Sequence, residues 1–395
     1  MGSSELSPKF FTNRAVRRDA YRDPELFELE RDRIFSKVWV FVGHMGELTQ
    51  PGDYKTTVLN GAPIIIWRDA GDEVRALYNS CTHRGTKVTR RPRGNEKYLR
   101  CSYHAWTFGR DGSLLGVPDA EAYDETFDKE KLGLVAVPRI ATTKHGLIFA
   151  SQNANVEPLE QHLGEALAYM DAAFNDPTGY TVAGYHDYRV YGNWKLVTEN
   201  STDGYHVQSL HRMNAKAVQA QGGGLTEQQA RPVAGERTGN YQVGLAGGHN
   251  LMTWESVVTE RMMDPAAQTH GKRRRDYLGS IFPNLAINTN GNCPKVRQII
   301  PIDVACTEII QYALIPNSYT REERRAYLIR LAEYSGPAGA NGVDDNDNFP
   351  QVQKGLRAPI DWSDVSRGVG KGGGLLNDET AMHALFEEWQ RRLFG

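Results

Sequence analysis

The stretch Glu199-Asn-Ser-Thr-Asp-Gly-Tyr-His-Val-Gln-Ser-Leu-His211 carries residue types suited to metal chemistry. Asp203 and His206 are three apart and share a face if both are helical. His211 is five further on. An unbroken helix would turn it away from His206, so the helix is expected to end or bulge between them. Two imidazoles and one carboxylate leave part of a metal's coordination sphere open, the arrangement of non-haem Fe(II) sites that bind oxygen. The same string also fits ordinary polar residues on a helix face, because short motifs misfire often. The rest of the chain has to decide.

A second set of donors lies upstream, in Cys81-Thr-His83 and Cys101-Ser-Tyr-His104, separated by seventeen residues. Each loop offers one thiolate and one imidazole. A zinc finger pairs Cys with Cys and His with His along the chain. The mixed loops suit a [2Fe–2S] cluster with two Cys on one iron and two His on the other, the Rieske arrangement. Neutral imidazole in place of thiolate raises the cluster potential. A structural zinc site, or unrelated buried residues, is the alternative. Trp106 and Tyr103 are expected to shield the cluster from water.

Two further strings are less telling. Gly342-Val-Asp-Asp-Asn-Asp-Asn-Phe349 is where the missing carboxylate is expected, with a solvated acidic turn as the alternative. A calcium loop starting at Asp344 would need Gly at Phe349 and Glu at Gly355. Gly368-Val-Gly-Lys-Gly-Gly-Gly374 superficially matches a dinucleotide fingerprint, but no strand leads into it and no βαβ unit surrounds it. With no visible place for NAD or flavin, electrons must come from another protein.

These residues need elements to hold them. The chain has 395 residues, 40% hydrophobic, enough for one large or two ordinary domains. Asp23-Pro24-Glu25 opens a helix, with Asp as cap and Pro in the first turn. Short β-rich runs follow at Val38–Val42, Tyr54–Leu59, Pro63–Trp67 and Val74–Tyr78, divided by Gly, Asp and Asn turns. They predict an all-β domain of roughly a hundred residues. An amphipathic helix is expected over Pro158–Phe174 and a strand over Val182–Tyr191, leading into the metal-binding helix. Ala215–Asn240 reads as a mobile loop beside the site. Strands are expected at Tyr241–Glu255, Ile281–Asn288, Val296–Ile302 and Glu308–Ile315, and helices from Thr320 through Tyr334 and over Asp378–Leu393. The net charge of −2 gives no reason to expect nucleic acid or a membrane surface as partner. No apolar run reaches membrane-spanning length. The segment Met1–Tyr21 lacks an apolar signal core, so a cytoplasmic location is expected. Four cysteines are too few for a disulfide scaffold.

The strings Cys81-x-His83…Cys101-x2-His104, Glu199-Asn200-x2-Asp203-x2-His206-x4-His211 and Asp344-Asp345-Asn346-Asp347-Asn348 occur together in this order. The chain thereby resembles, over nearly its whole length, the large (α) subunit of Rieske non-haem iron aromatic-ring-hydroxylating oxygenases. The resemblance implies an α+β fold, with a Rieske all-β domain inserted into a helix-grip catalytic domain with a central antiparallel sheet. It assigns residues 1–37 to an N-terminal helical segment of the catalytic domain, 38–155 to the Rieske domain and 156–395 to the catalytic domain. Cys81, His83, Cys101 and His104 would hold the cluster. His206, His211 and Asp345, the second Asp of its pair, would bind mononuclear Fe(II). Asp203 would be no ligand but the link between metal centres of neighbouring subunits, with Asn200 beside it as a catalytic residue. Ser201, Val207, Asn288 and Arg297 are expected to contact substrate. Arg297 would hold a carboxylate at two points, unless strand alternation turns it outward.

The activity implied is ring hydroxylation in aromatic catabolism, with O2 as co-substrate. NAD(P)H would be used only indirectly, through a ferredoxin and/or flavin reductase. The assembly implied is a homotrimer of α subunits, with or without a small β subunit. Gly247-Gly248-His249 and the segment from Asn377 to Trp389 resemble the branch acting on benzoate-type acids, such as salicylate, anthranilate and terephthalate. The alternatives are a Rieske monooxygenase or demethylase on another aromatic substrate, a Rieske electron carrier with an inert second domain, and a zinc hydrolase. A carrier needs no second site, so Asp203, His206, His211 and Asp345 argue against it.

Overall fold

The computed structural model describes residues 9–212, 216, 240–257, 273–289 and 294–395. The chain forms two compact units, one over Phe35–Leu159 and one from the chain on either side of it.

The first unit is built of short antiparallel strands. Asp53–Leu59 pairs with Ala62–Arg68 and Arg93–Asn95, and Ala62–Arg68 also with Val74–Tyr78. Asn60-Gly61 closes the first hairpin with both φ angles positive, 49° and 79°, as a two-residue hairpin turn of this sequence favours. A three-stranded sheet follows from Tyr98–Arg100, Thr107–Gly109 and Leu114–Gly116, and another joins Val40–His44, Leu147–Ser151 and Arg139–Thr142. Inward positions of the first two sheets, joined by Trp106 from the loop before Thr107, supply one apolar core, which includes Tyr54, Trp67 and Phe108. Cys81 and Cys101 belong to that same core.

The second unit is organised on a seven-stranded antiparallel sheet. Its order is Tyr180–Val190, Cys306–Pro316, Lys295–Asp303, Leu285–Asn288, Arg273–Ile281, Asn250–Val257 and Tyr241–Gly244. The helix Arg321–Ser335 is opened by a capping box of Thr320 and Glu323, as expected, and buries Tyr327 and Leu331 against Ala313 and Ile315 of the sheet. The helix Trp194–Asn200 packs on the strand Lys295–Asp303. Its place is fixed by a buried tie. Glu30 of the helix Pro24–Glu30 accepts from the indole N–H of Trp194 at 2.7 Å and of Trp389 at 2.6 Å, and pairs with Lys195. Glu30 and Lys195 are wholly buried. Loss of either partner alone would leave an unpaired interior charge, at a cost of about 3–5 kcal/mol. One carboxylate thus joins the N-terminal helix, the site helix and the C-terminal helix.

Several expected boundaries move. The helix expected over Pro158–Phe174 is two, Leu159–Leu163 and Ala166–Ala173, divided where Gly164 takes a φ of 47°. Tyr241–Glu255 is a hairpin that folds back through Ala246–Gly248. The strand expected over Ile281–Asn288 ends at Ile281 and restarts at Leu285. The C-terminal helix starts at His383, because Asp378 instead accepts the backbone N–H of Leu375 and shapes the preceding turn. The acidic string, for which a solvated turn is the alternative reading, lies in the helix Gly342–Gly355, with Asp345 and Phe349 buried. Apart from Lys216 and Asn240, the expected loop Ala215–Asn240 falls outside the described residues.

Candidate metal centres

In the second unit the helix Trp194–Asn200 begins at Asn193, whose side chain caps the N–H of Lys195. It does not continue to His206, as the spacing suggested. Ser201 and Thr202 close it with tight bonds to the carbonyls of Thr198 and Glu199. The chain then passes Gly204, where a Cβ would sit 2.1 Å from the Leu376 carbonyl oxygen, so only glycine fits. Asp203 therefore reaches His206 across a loop, not along a helical face. One carboxylate oxygen accepts the backbone N–H of Tyr205 at 2.8 Å, and the other meets His206 Nδ1 at 3.0 Å. His206 opens a short 3-10 turn, His206–Gln208.

His206, His211 and Asp345 converge, with one donor atom from each lying within 4.8 Å of the others. Asp345 Oδ1 is 3.2 Å from His211 Nε2 and 3.6 Å from His206 Nε2. On the far side of each ring, Nδ1 faces a carboxylate, Asp203 for His206 and Asp344 for His211 at 3.1 Å. Each ring is thus oriented by a carboxylate behind it, with Nε2 presented to the shared centre, the arrangement of carboxylate–histidine–metal sites. Burial alone would lower the His211 pKa, but Asp345 and Asp344 outweigh it and raise it. The two carboxylates make the centre attract positive charge, the kind a divalent cation brings. Burial works to raise the Asp203 pKa, and the bonds from His206 and the backbone overcome it and hold the carboxyl ionised. The residue types, their convergence and their oriented rings fit a mononuclear metal with open positions.

In the first unit the two Cys–His loops are near copies. The N–H of Gly85 bonds the Cys81 carbonyl at 2.8 Å and that of Ala105 bonds the Cys101 carbonyl at 3.0 Å. Gly85 and Ala105 both have positive φ, 74° and 58°. Each turn carries its Cys into the core and leaves its His toward the rim. The two imidazoles stand 4.5 Å apart, and Trp106 stacks on His83 at 4.8 Å. Burial, then the neighbouring Cys101, raises the Cys81 pKa. The His83 Nδ1 is buried without a hydrogen-bond partner. Two buried thiols side by side and an orphaned imidazole nitrogen fit a mixed Cys/His metal cluster. Trp106 is buried as expected. Tyr103 lies over His104, yet is 58% exposed, so it covers the ring while remaining in solvent itself.

The remaining expected residues are placed as follows. The Asn200 amide is 3.2 Å from Asp345 Oδ1 and 3.4 Å from His206 Nε2, against the metal triad. The Ser201 hydroxyl is turned back to the Val197 carbonyl. Val207 is exposed in the 3-10 turn. Asn288 ends its strand opposite Lys295. Arg297 gives its Nε–H to Gln311, whose amide reaches the Ser335 carbonyl. Gly248 packs against Glu388 of the C-terminal helix, and Gln242 bonds the carbonyls of Leu375 and Asp378. The two stretches that carried the benzoate-branch resemblance are thus one packing unit. Sequence reasoning assigned Asp344 no part, because two adjacent acids look alike until the fold puts one on each side of an imidazole. It also gave Glu199 no part, although burial pushes this carboxyl up to about 8 while Tyr21 donates to it.

Residues 38–138 match the family described as the Rieske [2Fe-2S] domain, and residues 177–395 the ring hydroxylating alpha subunit (catalytic domain). The toluate 1,2-dioxygenase subunit alpha of Pseudomonas putida is 33% identical, over 89% of this chain and 81% of its own. The 2-halobenzoate 1,2-dioxygenase large subunit of Burkholderia cepacia is 30% identical, over 90% of this chain and 80% of its own. The crystal structure of naphthalene 1,2-dioxygenase from Rhodococcus sp. bound to indole superposes with a TM-score of 0.84 at 25% identity, covering 96% of this chain and 94% of that one. A structural zinc site, an inert second domain and a zinc hydrolase do not fit these matches. With a [2Fe–2S] domain, a non-haem iron domain and O2 as co-substrate, the chain belongs to the Rieske ring-hydroxylating oxygenases, as a large (alpha) subunit.

Proposed function

We propose that this terminal oxygenase hydroxylates the ring of an aromatic carboxylate of the benzoate, salicylate or terephthalate type. The observation that carries the reading is the set of relatives named for aromatic acids, 2-halobenzoate, anthranilate and toluate, at 30%, 31% and 33% identity. Cys81, His83, Cys101 and His104 hold the cluster in a domain spanning 38–155. His206, His211 and Asp345 hold the mononuclear iron in the catalytic domain formed by 1–37 and 156–395. When bound, the cluster supplies electrons and the ferrous ion supplies open positions for O2. Asp203 and Asp344 fix the imidazole orientations. The Asn200 amide donates to Asp345 Oδ1 and steadies the carboxylate. Ser201, Val207 and Asn288 line the approach. Arg297 spends one N–H on Gln311 and keeps its terminal nitrogens for a substrate carboxylate. The working assembly is a homotrimer in the cytoplasm, fed by a ferredoxin and/or flavin reductase.

The test is product analysis with reconstituted enzyme on paired substrates, each aromatic acid against its neutral arene. Aromatic acids are expected to be turned over in preference. Arg297→Gln is expected to raise KM for acids by roughly tenfold or more, the loss of one charged hydrogen-bonding contact, and to leave arenes unchanged. Preference for arenes, or an equal effect of Arg297→Gln on both, would contradict the substrate assignment.

A further inference from the structure

Hydroxylating a ring with O2 takes up protons as well as electrons. His211 and Asp345 of the metal triad are buried, so protons do not reach them freely from bulk water. A group inside the protein has to hold one ready. The Asn200 amide lies against Asp345 and His206. Glu199 directly precedes it in the helix Trp194–Asn200.

The titratable groups around the Glu199 carboxyl come from several elements. Tyr21 of the helix Asp19–Arg22 donates its hydroxyl to it. Lys195 stands one turn back on the same helix. Asp203 acts from the loop beyond, and Glu379 from the segment before the C-terminal helix. Burial is the largest influence and raises the carboxyl pKa. Tyr21 and Lys195 pull against it, and the charges of Asp203 and Glu379 add to the rise, which ends at about 8. Tyr21 keeps its own proton, because burial and then Glu199 hold its pKa well above the usual phenol range. Glu199 is therefore a neutral acid at neutral pH.

The position of its proton follows from its partners. Tyr21 donates to one oxygen, so the acid proton belongs on the other. Glu199 Oε1 is buried and has no hydrogen-bond partner among the described residues. The Thr202 hydroxyl is likewise buried and unpartnered, on a residue 1% exposed. Thr202 closes the turn that Glu199 opens, its N–H bonding the Glu199 carbonyl at 2.9 Å. Two open polar atoms one turn apart suit an ordered water, since buried polar groups in proteins are nearly always satisfied.

We propose that Glu199 is the proton store of the oxygenation, a positioning residue that passes its proton through a water held by Thr202 to the oxygen being reduced beside His206 and Asp345. The inference rests on the reading of His206, His211 and Asp345 as the iron site. In the step the O–H bond of the Glu199 carboxyl breaks, and an O–H bond forms on an atom that becomes a product hydroxyl. No electron leaves the carboxyl; the electrons arrive separately, from the enzyme's redox donor. The half-buried Glu379 takes a proton from solvent and refills Glu199.

Infrared difference spectra of the holoenzyme test the store without substrate. The wild type is expected to show the C=O band of a buried carboxylic acid at neutral pH, shifted in D2O and lost as pH rises through about 8. Glu199→Gln keeps an acceptor for Tyr21 and is expected to lack the band while retaining iron and the Rieske EPR signal. Single-turnover hydroxylation of benzoate by reduced, loaded enzyme tests the delivery. The wild-type rate is expected to fall as pH rises through about 8. Glu199→Gln is expected to be about a hundredfold slower at neutral pH and flat across that range. Thr202→Val keeps the band and slows turnover roughly tenfold. A merely structural Glu199 would leave the pH profile in place. Absence of the band from the wild type overturns the proposal, as does Glu199→Gln with the wild-type rate or pH profile. If Glu199→Gln fails to fold or to hold iron, Thr202→Val decides, and a wild-type rate overturns the relay. Loaded wild type that yields no product from benzoate strikes the proposed substrate instead, and the infrared titration then decides for Glu199. Wild type that binds no mononuclear iron strikes the metal-site reading beneath it.

Discussion

Asp345→Ala is expected to lose the mononuclear iron and with it all measurable turnover, while the cluster keeps its visible and EPR signature. Asp345 Oδ1 is the point at which the two imidazoles meet, 3.2 Å from one Nε2 and 3.6 Å from the other. Without it the centre retains two neutral donors and no anionic one. Removing an oxygen or nitrogen that only orients a ligand costs about 10–100-fold in metal affinity, and removing the ligand costs more. Asp344→Ala supplies the comparison. Asp344 touches the other nitrogen of His211, so its loss is expected to weaken Fe(II) binding by about 10–100-fold without abolishing it. Iron retained after dialysis against a chelator separates the two. If Asp344→Ala or Asp347→Ala strips the iron and Asp345→Ala does not, the assignment is off by register.

Asp203→Asn should leave both metal sites loaded and the cluster reducible by dithionite, yet lower turnover by about a hundredfold or more. The carboxylate accepts on both sides, from His206 Nδ1 on one oxygen and from the backbone N–H of Tyr205 on the other. An amide can accept on only one side. Its NH2 must then face a donor, either the imidazole or the backbone. Each carboxylate oxygen has two lone pairs, and the side chain is 30% exposed, so acceptor capacity remains on the open face. We propose that this face receives His104 of a neighbouring copy, giving electrons a bonded route from cluster to iron. Single-turnover kinetics after cluster reduction is the measurement. Near-normal turnover would remove Asp203 from the route, and loss of the mononuclear iron would show that its role is only to hold His206.

Much of this was legible before the fold. The Cys–His loops are local, and four donors in mixed pairs among β-rich runs allow few chemistries. The long antiparallel strands and the capping box at Thr320 follow from composition and pattern. The metal triad was half legible. His206 and His211 lie in one string, but Asp345 comes more than a hundred residues later and no spacing rule connects them. Only resemblance selected it. The end of the site helix at Asn200 was not legible, because the reason lies elsewhere, in the approach of Leu376 to Gly204. The Glu30 tie was invisible for the same reason: its partners are 164, 165 and 359 residues away. Helix and strand periodicity reports which face is apolar and says nothing of which distant charge a buried lysine meets.

The central claim is that the two centres together insert oxygen from O2 into an aromatic ring. It is tested most directly by a single turnover of reduced, fully loaded enzyme under 18O-labelled O2 with an aromatic acid. The account predicts a hydroxylated product whose new oxygen carries the label, with both oxygens labelled if the product is a cis-diol, and no product from Asp345→Ala. Oxygen drawn from water, or no product from enzyme with both metal centres shown to be loaded, would contradict it.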